Sequence, residues 1–140
     1  MEFANFFFGD EISSVGNRKL NWVIDYDNKE TFTGKPGEKS RPGRTIPTKG
    51  MISIYLQSNL LNDPKKLYIV IGHELVHAND LDDGNYSKWA KLYPLQVNII
   101  FEYRAYLWSA QAEAGFGINL GQQTKLNELA TQLPAGFLNR

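Results

Sequence analysis

The rhythm of apolar positions changes part-way along the chain. In the first half, residues 3–8, 20–26, 31–33 and 51–56 are short runs of aromatic and β-branched side chains broken by Gly, Asn and Asp, a pattern that predicts strands. Residues 35–50 carry Pro36, Pro42 and Pro47, Gly37, Gly43 and Gly50, and the cations Lys35, Lys39, Arg41, Arg44 and Lys49. This composition predicts a solvated loop. A basic arm for nucleic acid is the other reading of these residues, but a charge run is more often a solvated face.

Beyond residue 61 the pattern becomes helical. Asn62-Asp63-Pro64 is a helix start, because an Asn or Asp side chain accepts from the orphan N–H groups while Pro occupies the first turn without losing a bond. The helix expected from it runs over residues 65–80. Its middle, residues 67–71, is apolar on every side, which on its own would also suit a buried strand; the start signal and the continuation through Gly72 favour a central buried helix. Residues 81–85 supply turn chemistry. A second helix is expected over residues 94–114, since 96–112 contains no Gly or Pro. A short amphipathic helix over 122–133, with Leu126 and Leu129 or Leu133 inward and Pro134 as its stop, completes the expected elements. There is no internal repeat. Strands followed by helices predict an α+β fold, and 140 residues suit a single domain over 1–140.

Composition narrows the function. Fifteen Lys and Arg balance fifteen Asp and Glu, which argues against a protein built to neutralise phosphate or coat an anionic membrane; no nucleic-acid partner is expected. No stretch has the roughly 18 apolar residues of a membrane span. The start of the chain is aromatic but lacks the basic region and cleavage site of a signal peptide. The absence of Cys removes disulfides, thiolate metal sites and a thiol nucleophile together. A bound metal would need His and carboxylates, and the chain has two His, four residues apart.

Those two are His73 and His77, in His73-Glu74-Leu75-Val76-His77. This is the H-E-x-x-H pattern. Residues i and i+4 share one helix face, so two imidazoles spaced this way can converge on one tetrahedral ion. Glu74, beside them, is placed to act as general base toward a metal-bound water. The plain alternative is a pair of surface His with an ordinary Glu. Apolar flanks on both sides weigh against it, because a polar triplet buried there is costly unless something satisfies it.

Ile-Gly-His-Glu-Leu-Val-His-Ala, residues 71–78, resembles the active-site helix of zincin metallopeptidases, and with the Asp and Gly that follow it is similar to small metallopeptidase domains of bacterial effectors and polymorphic toxins. The resemblance spans residues 71–112. It implies a zincin-like α+β domain, a small and mostly antiparallel β layer packed on the motif helix and a second ligand-bearing helix, with Zn2+ as cofactor.

A catalytic zinc needs a third protein ligand and an open position. With no third His, that ligand is Asp or Glu. Glu102 is favoured: it is an acid in the apolar run around residues 99–106, and Asn98, Ala105, Tyr106 and Ser109 fall on its side of the helix. Glu102-x-x-Ala105 also resembles the second-helix ligand signature of gluzincins. Asp83 is the alternative, at the step where some zincins place a third ligand, though Asp80 stands where that group has its turn Gly. Asp80 itself is placed to orient an imidazole N–H. Tyr106, one turn beyond Glu102, is the candidate to stabilise an oxyanion, ahead of Tyr103. Arg104 is expected in a salt bridge or at the surface, and Trp22, Trp89 and Trp108 in the core.

The expected function is a zinc-dependent endopeptidase: metal on His73, His77 and Glu102, catalysis by Glu74 and Tyr106, a protein or peptide substrate added as a strand in a cleft beside the motif helix. The alternative is a non-catalytic interaction module with a structural or vestigial metal site. The effector resemblance further implies a cognate inhibitor or immunity protein, and delivery into a target-cell cytosol within a larger secreted protein.

Overall fold

The computed structural model describes residues 2–15, 19–25 and 42–139. The architecture is α+β. In chain order the described elements are α1 (Glu2–Ser14), β1 (Lys19–Asp25), β2 (Gly43–Thr48), β3 (Met51–Gln57), α2 (Pro64–Asp82), α3 (Asn85–Leu92), α4 (Val97–Phe116) and α5 (Gln122–Ala130), with short 3-10 turns at Ser58–Asn62 and Phe137–Asn139.

The sheet has the order β1-β3-β2. β3 pairs antiparallel with β2 and parallel with β1, so the sheet is mixed where a mostly antiparallel layer was expected. The β2–β3 pair is a tight hairpin, Thr48 opposite Met51, and Gly50 takes the φ of +73° that its two-residue turn requires. The central strand carries the apolar burden: Ile52, Ile54 and Leu56 are fully buried. They pack against Leu67, Val70, Ile71, Leu75 and Ala78 of α2 and against Ala4 and Phe8 of α1 in one cluster. A second cluster, Trp89, Val97 and Ile100 with Tyr86, Tyr93, Leu133 and Phe137 around them, ties α3 to the start of α4. Trp22 and Trp108 are partly buried against the main cluster.

Helix α2 begins as its sequence dictates. The Asp63 carboxylate accepts from the Lys66 N–H at 3.2 Å, with Pro64 in the first turn. It ends at Asp82, and Gly84 adopts a φ of +87° ahead of α3.

Three expectations are corrected. Residues 3–8 form part of helix α1, kinked at Phe8, and not a strand. Phe3 stacks on Phe7 at 4.9 Å, and Ala4 and Phe8 are both buried; both pairs are spaced i, i+4, so the aromatic run follows a helical repeat. Part of the expected loop over 35–50 is strand β2. Pro47 is accommodated there because β2 is an edge of the described sheet, where a missing N–H costs no ladder bond. Residues 85–92, for which no element was expected, form α3, with Tyr86, Trp89 and Ala90 facing the second cluster. The expected strand at 31–33 and residues 35–41 lie outside the described residues.

Two close approaches set the geometry of the site. Gly72 of α2 lies flat under the Trp108 ring of α4; a Cβ there would overlap ring carbons Cη2 and Cζ3 and sit 2.5 Å from Cζ2. Gly43 of β2 leaves room for Val70 and Glu74; a Cβ there would come within 2.7 Å of Val70 Cγ1 and 3.1 Å of Glu74 Cγ. The motif helix is thus pressed between strand and second helix at two glycines.

Candidate metal centre

His73 and His77 are one turn apart on α2, their rings 5.0 Å apart and nearly perpendicular. Glu102 projects from α4 toward both. Its Oε1 is 3.1 Å from His77 Nε2 and its Oε2 is 3.8 Å from His73 Nε2. One ligand atom from each of the three residues lies within 4.8 Å of the others. Donors at about 2.0–2.2 Å from one tetrahedral ion stand roughly 3.3–3.6 Å apart, a spacing the two Glu102 distances bracket. Two imidazoles and one carboxylate are also a donor set suited to zinc with an open fourth position, so the residues fit the ion.

Burial and charge make the two imidazoles different. Burial pushes His73 down to about 3; His77 adds to that effect and Glu102 opposes it. At His77 burial also acts downward, but the hydrogen bond and charge of Glu102, with Glu74 and Asp80 behind them, outweigh it and raise the group above 6.5. At 3.1 Å from Glu102 Oε1, an acceptor, His77 Nε2 is placed to donate its N–H to the carboxylate. The His and Glu74 side chains are largely buried, while Glu102 is 34% exposed. The cluster is reached from solvent on the Glu102 side.

The rings are held differently as well. His73 Nδ1 is 3.3 Å from Ser109 Oγ, one turn past Ala105 on α4. His77 Nδ1 is buried with no hydrogen-bond partner among the described residues. Packing holds that ring instead, against Phe101 at 4.0 Å and an interplanar angle of 30°.

Glu74 is 5% exposed. Its Oε2 lies 4.0 Å from His73 Nε2, and on its other side Thr45 Oγ1 is 3.0 Å from Glu74 Oε1 and 3.1 Å from the Glu74 carbonyl. A hydroxyl has one proton to share between them. Tyr106 sets its ring edge-on to His73 at 4.6 Å. Tyr103 lines a groove of about 320 Å³ with Trp89, Arg104, Leu107, Phe137 and Leu138.

The other acids expected near the site are committed elsewhere. Asp83 is exposed at the end of α2 and accepts from the Asn85 N–H and side-chain amide at 2.9 and 3.0 Å, so it does not join the His pair. Asp80 is 1% exposed and takes two bonds from Arg104, at 3.0 and 3.1 Å, and one from Asn85 at 3.1 Å. It was expected to orient an imidazole by hydrogen bonding; the guanidinium fork takes its oxygens instead, and it acts on His77 through charge alone. Arg104 forms the expected salt bridge and also stacks on Trp89 at 5.3 Å.

Thr45, Gln122 and Glu113 are site neighbours that the sequence reading does not reach. Thr45 sits in a Pro- and Gly-rich segment that reads as loop, and Gln122 joins the site only through the fold. Glu113, 5% exposed near the end of α4, is set apart only by its burial in the fold.

Compared with known protein families, curated proteins and solved structures, the chain has no match.

Proposed function

We propose that this protein is a zinc-dependent peptidase with a zincin-like active site. The observation that carries the reading is the convergence of His73 and His77 from one helix and Glu102 from another on a point beside buried Glu74. His73, His77 and Glu102 would hold the metal. Zinc in such a site lowers the pKa of a bound water toward about 7 and polarises a carbonyl. Glu74 takes a proton and returns it to the leaving amine. Thr45 donates to Glu74 Oε1 and orients the carboxylate for that transfer. The Tyr106 hydroxyl donates to the developing oxyanion.

The substrate proposed is a polypeptide in extended form. β2 is an edge strand in the described sheet, and its Thr45 touches the general base; a peptide added to that edge would run past Glu74 with its backbone bonded to the strand. A structural site would call for a fourth side-chain ligand, and the two acids considered for it, Asp80 and Asp83, are bonded elsewhere. That favours the catalytic reading over an interaction module. The setting of a bacterial effector or toxin rests on the residues flanking the motif.

The test is Glu74→Gln. It should bind zinc as the wild type does and lose hydrolysis of an unfolded protein substrate. Hydrolysis undiminished in Glu74→Gln would remove Glu74 from the mechanism.

A further inference from the structure

Ser109 is fully buried, and four groups surround its Oγ: His73 Nδ1 at 3.3 Å, Gln122 Oε1 at 2.9 Å, the Ala105 carbonyl at 3.1 Å and the Tyr106 carbonyl at 3.4 Å. Three of the four are carbonyl oxygens and only accept. A hydroxyl has one proton and two lone pairs, so its proton belongs to one of the two nearest oxygens, Gln122 or Ala105. The only neighbour of the four able to donate back is the imidazole. Were Nδ1 instead to receive the proton, all three oxygens at 2.9–3.4 Å would face the hydroxyl's lone pairs, one more than otherwise, and the buried hydroxyl would lose its hydrogen bond to the nearest of them.

The orientation of Gln122 is itself fixed. Its Nε2 donates to the Leu120 carbonyl at 3.3 Å; exchanging amide oxygen and nitrogen would set two acceptors against each other there. Glu113, 5% exposed, holds this corner, its Oε2 accepting from the Leu120 and Gln122 N–H groups. The first residue of α5 therefore reaches Ser109 through its side chain.

We propose that Ser109, oriented by Gln122, is a positioning residue that locks His73 as the Nδ1–H tautomer and keeps its Nε2 lone pair turned toward His77 and Glu102. The consequence for zinc rests on the metal-centre reading above; the tautomer does not. His73 would then present its Nε2 lone pair without a change of tautomer.

The test uses the full 15N-labelled chain at neutral pH, read by long-range proton–nitrogen spectra of the imidazoles without metal, and then titrated with zinc alone. The wild type should show His73 as the Nδ1–H form. Ser109→Ala should shift it toward a mixture with the Nε2–H form and weaken zinc binding by about 10–100-fold. Gln122→Met should move both readouts the same way by less. A folded Ser109→Ala chain with an unchanged His73 tautomer would overturn the proposal, as would an Nε2–H or doubly protonated His73 in the wild type. If Ser109→Ala does not fold, Gln122→Met decides in its place. A wild-type chain with the expected tautomer and no affinity for zinc would uphold the positioning role and remove the metal centre.

Discussion

Gly72→Ala separates tertiary packing from local propensity, because the two give opposite signs. In the interior of a helix, Ala is favoured over Gly by about 1 kcal/mol, so propensity alone makes the variant more stable. Packing reverses this. The most generous of the three ring contacts at the new methyl is 2.5 Å, against about 3.5–4.0 Å for carbon atoms at rest, so Trp108 must move by at least about 1 Å. It has nowhere easy to go: its ring is already in contact with Phe8 and Tyr68, each at 5.8 Å between centroids. Overpacking of this kind costs about 1–3 kcal/mol, and the overlap at Cη2 and Cζ3 puts this case at the upper end. After the propensity gain, a net loss of about 1–2 kcal/mol remains, or a fall in Tm of roughly 3–8 °C for a domain of this size. Because α4 also carries Glu102, zinc affinity should weaken with it. Thermal unfolding followed by circular dichroism measures the first effect and a zinc titration the second. A Gly72→Ala protein as stable as the wild type, or more so, would refute the close approach of α2 and α4.

Other perturbations reach different parts of the site. Thr45→Val removes the donor to Glu74 Oε1 while keeping shape; hydrolysis should fall about tenfold or more with zinc affinity unchanged, as steady-state kinetics beside a metal titration will show. Arg104→Met leaves Asp80 buried with Asn85 alone; because the Arg104 side chain is 45% exposed, the loss should be about 1–3 kcal/mol, below that of a fully buried pair, read as a lower urea midpoint. His77 is raised in the folded protein, so its contribution to metal-free stability is fully present below about pH 6.5 and fades as pH rises through its folded value. His73, lowered to about 3, acts oppositely: its contribution is present above about pH 6.5 and is lost as pH falls toward about 3. Zinc must displace the His77 proton, so zinc should bind more tightly at pH 8 than at pH 6, by up to about tenfold per unit; a flat profile between them would count against the protonated His77–Glu102 pair.

The helices that carry the site were legible because their signals are local. Asp63 and Pro64 announce α2, the i, i+4 spacing sets His73 beside His77, and an acid amid Ile99, Ile100 and Phe101 marks Glu102 as needing a partner. The strand at 51–56 was legible for the same reason, as a β-branched and aromatic run interrupted only by Ser53. What failed depended on neighbours far along the chain. Phe6-Phe7-Phe8 has strand-like composition, and only packing of Phe8 on Tyr68 and Trp108 makes the helical repeat decisive. Gly43–Thr48 reads as loop because Pro42, Gly43 and Pro47 are loop residues; it becomes a strand by pairing with β3, and Gly43 is there because Val70 and Glu74 press against it. Asp80 looked like an imidazole partner by spacing, but Arg104, 24 positions on, reaches it first. The link from Gln122 through Ser109 to His73 exists only in three dimensions, though Ser109 itself was visible on the polar side of α4.

The most direct test of the metal centre is a zinc-binding isotherm of the metal-free wild-type chain. One tightly held zinc per chain is expected, released as the pH falls through the range where His77 gains its proton. Absence of near-stoichiometric binding at neutral pH would contradict a centre built from His73, His77 and Glu102.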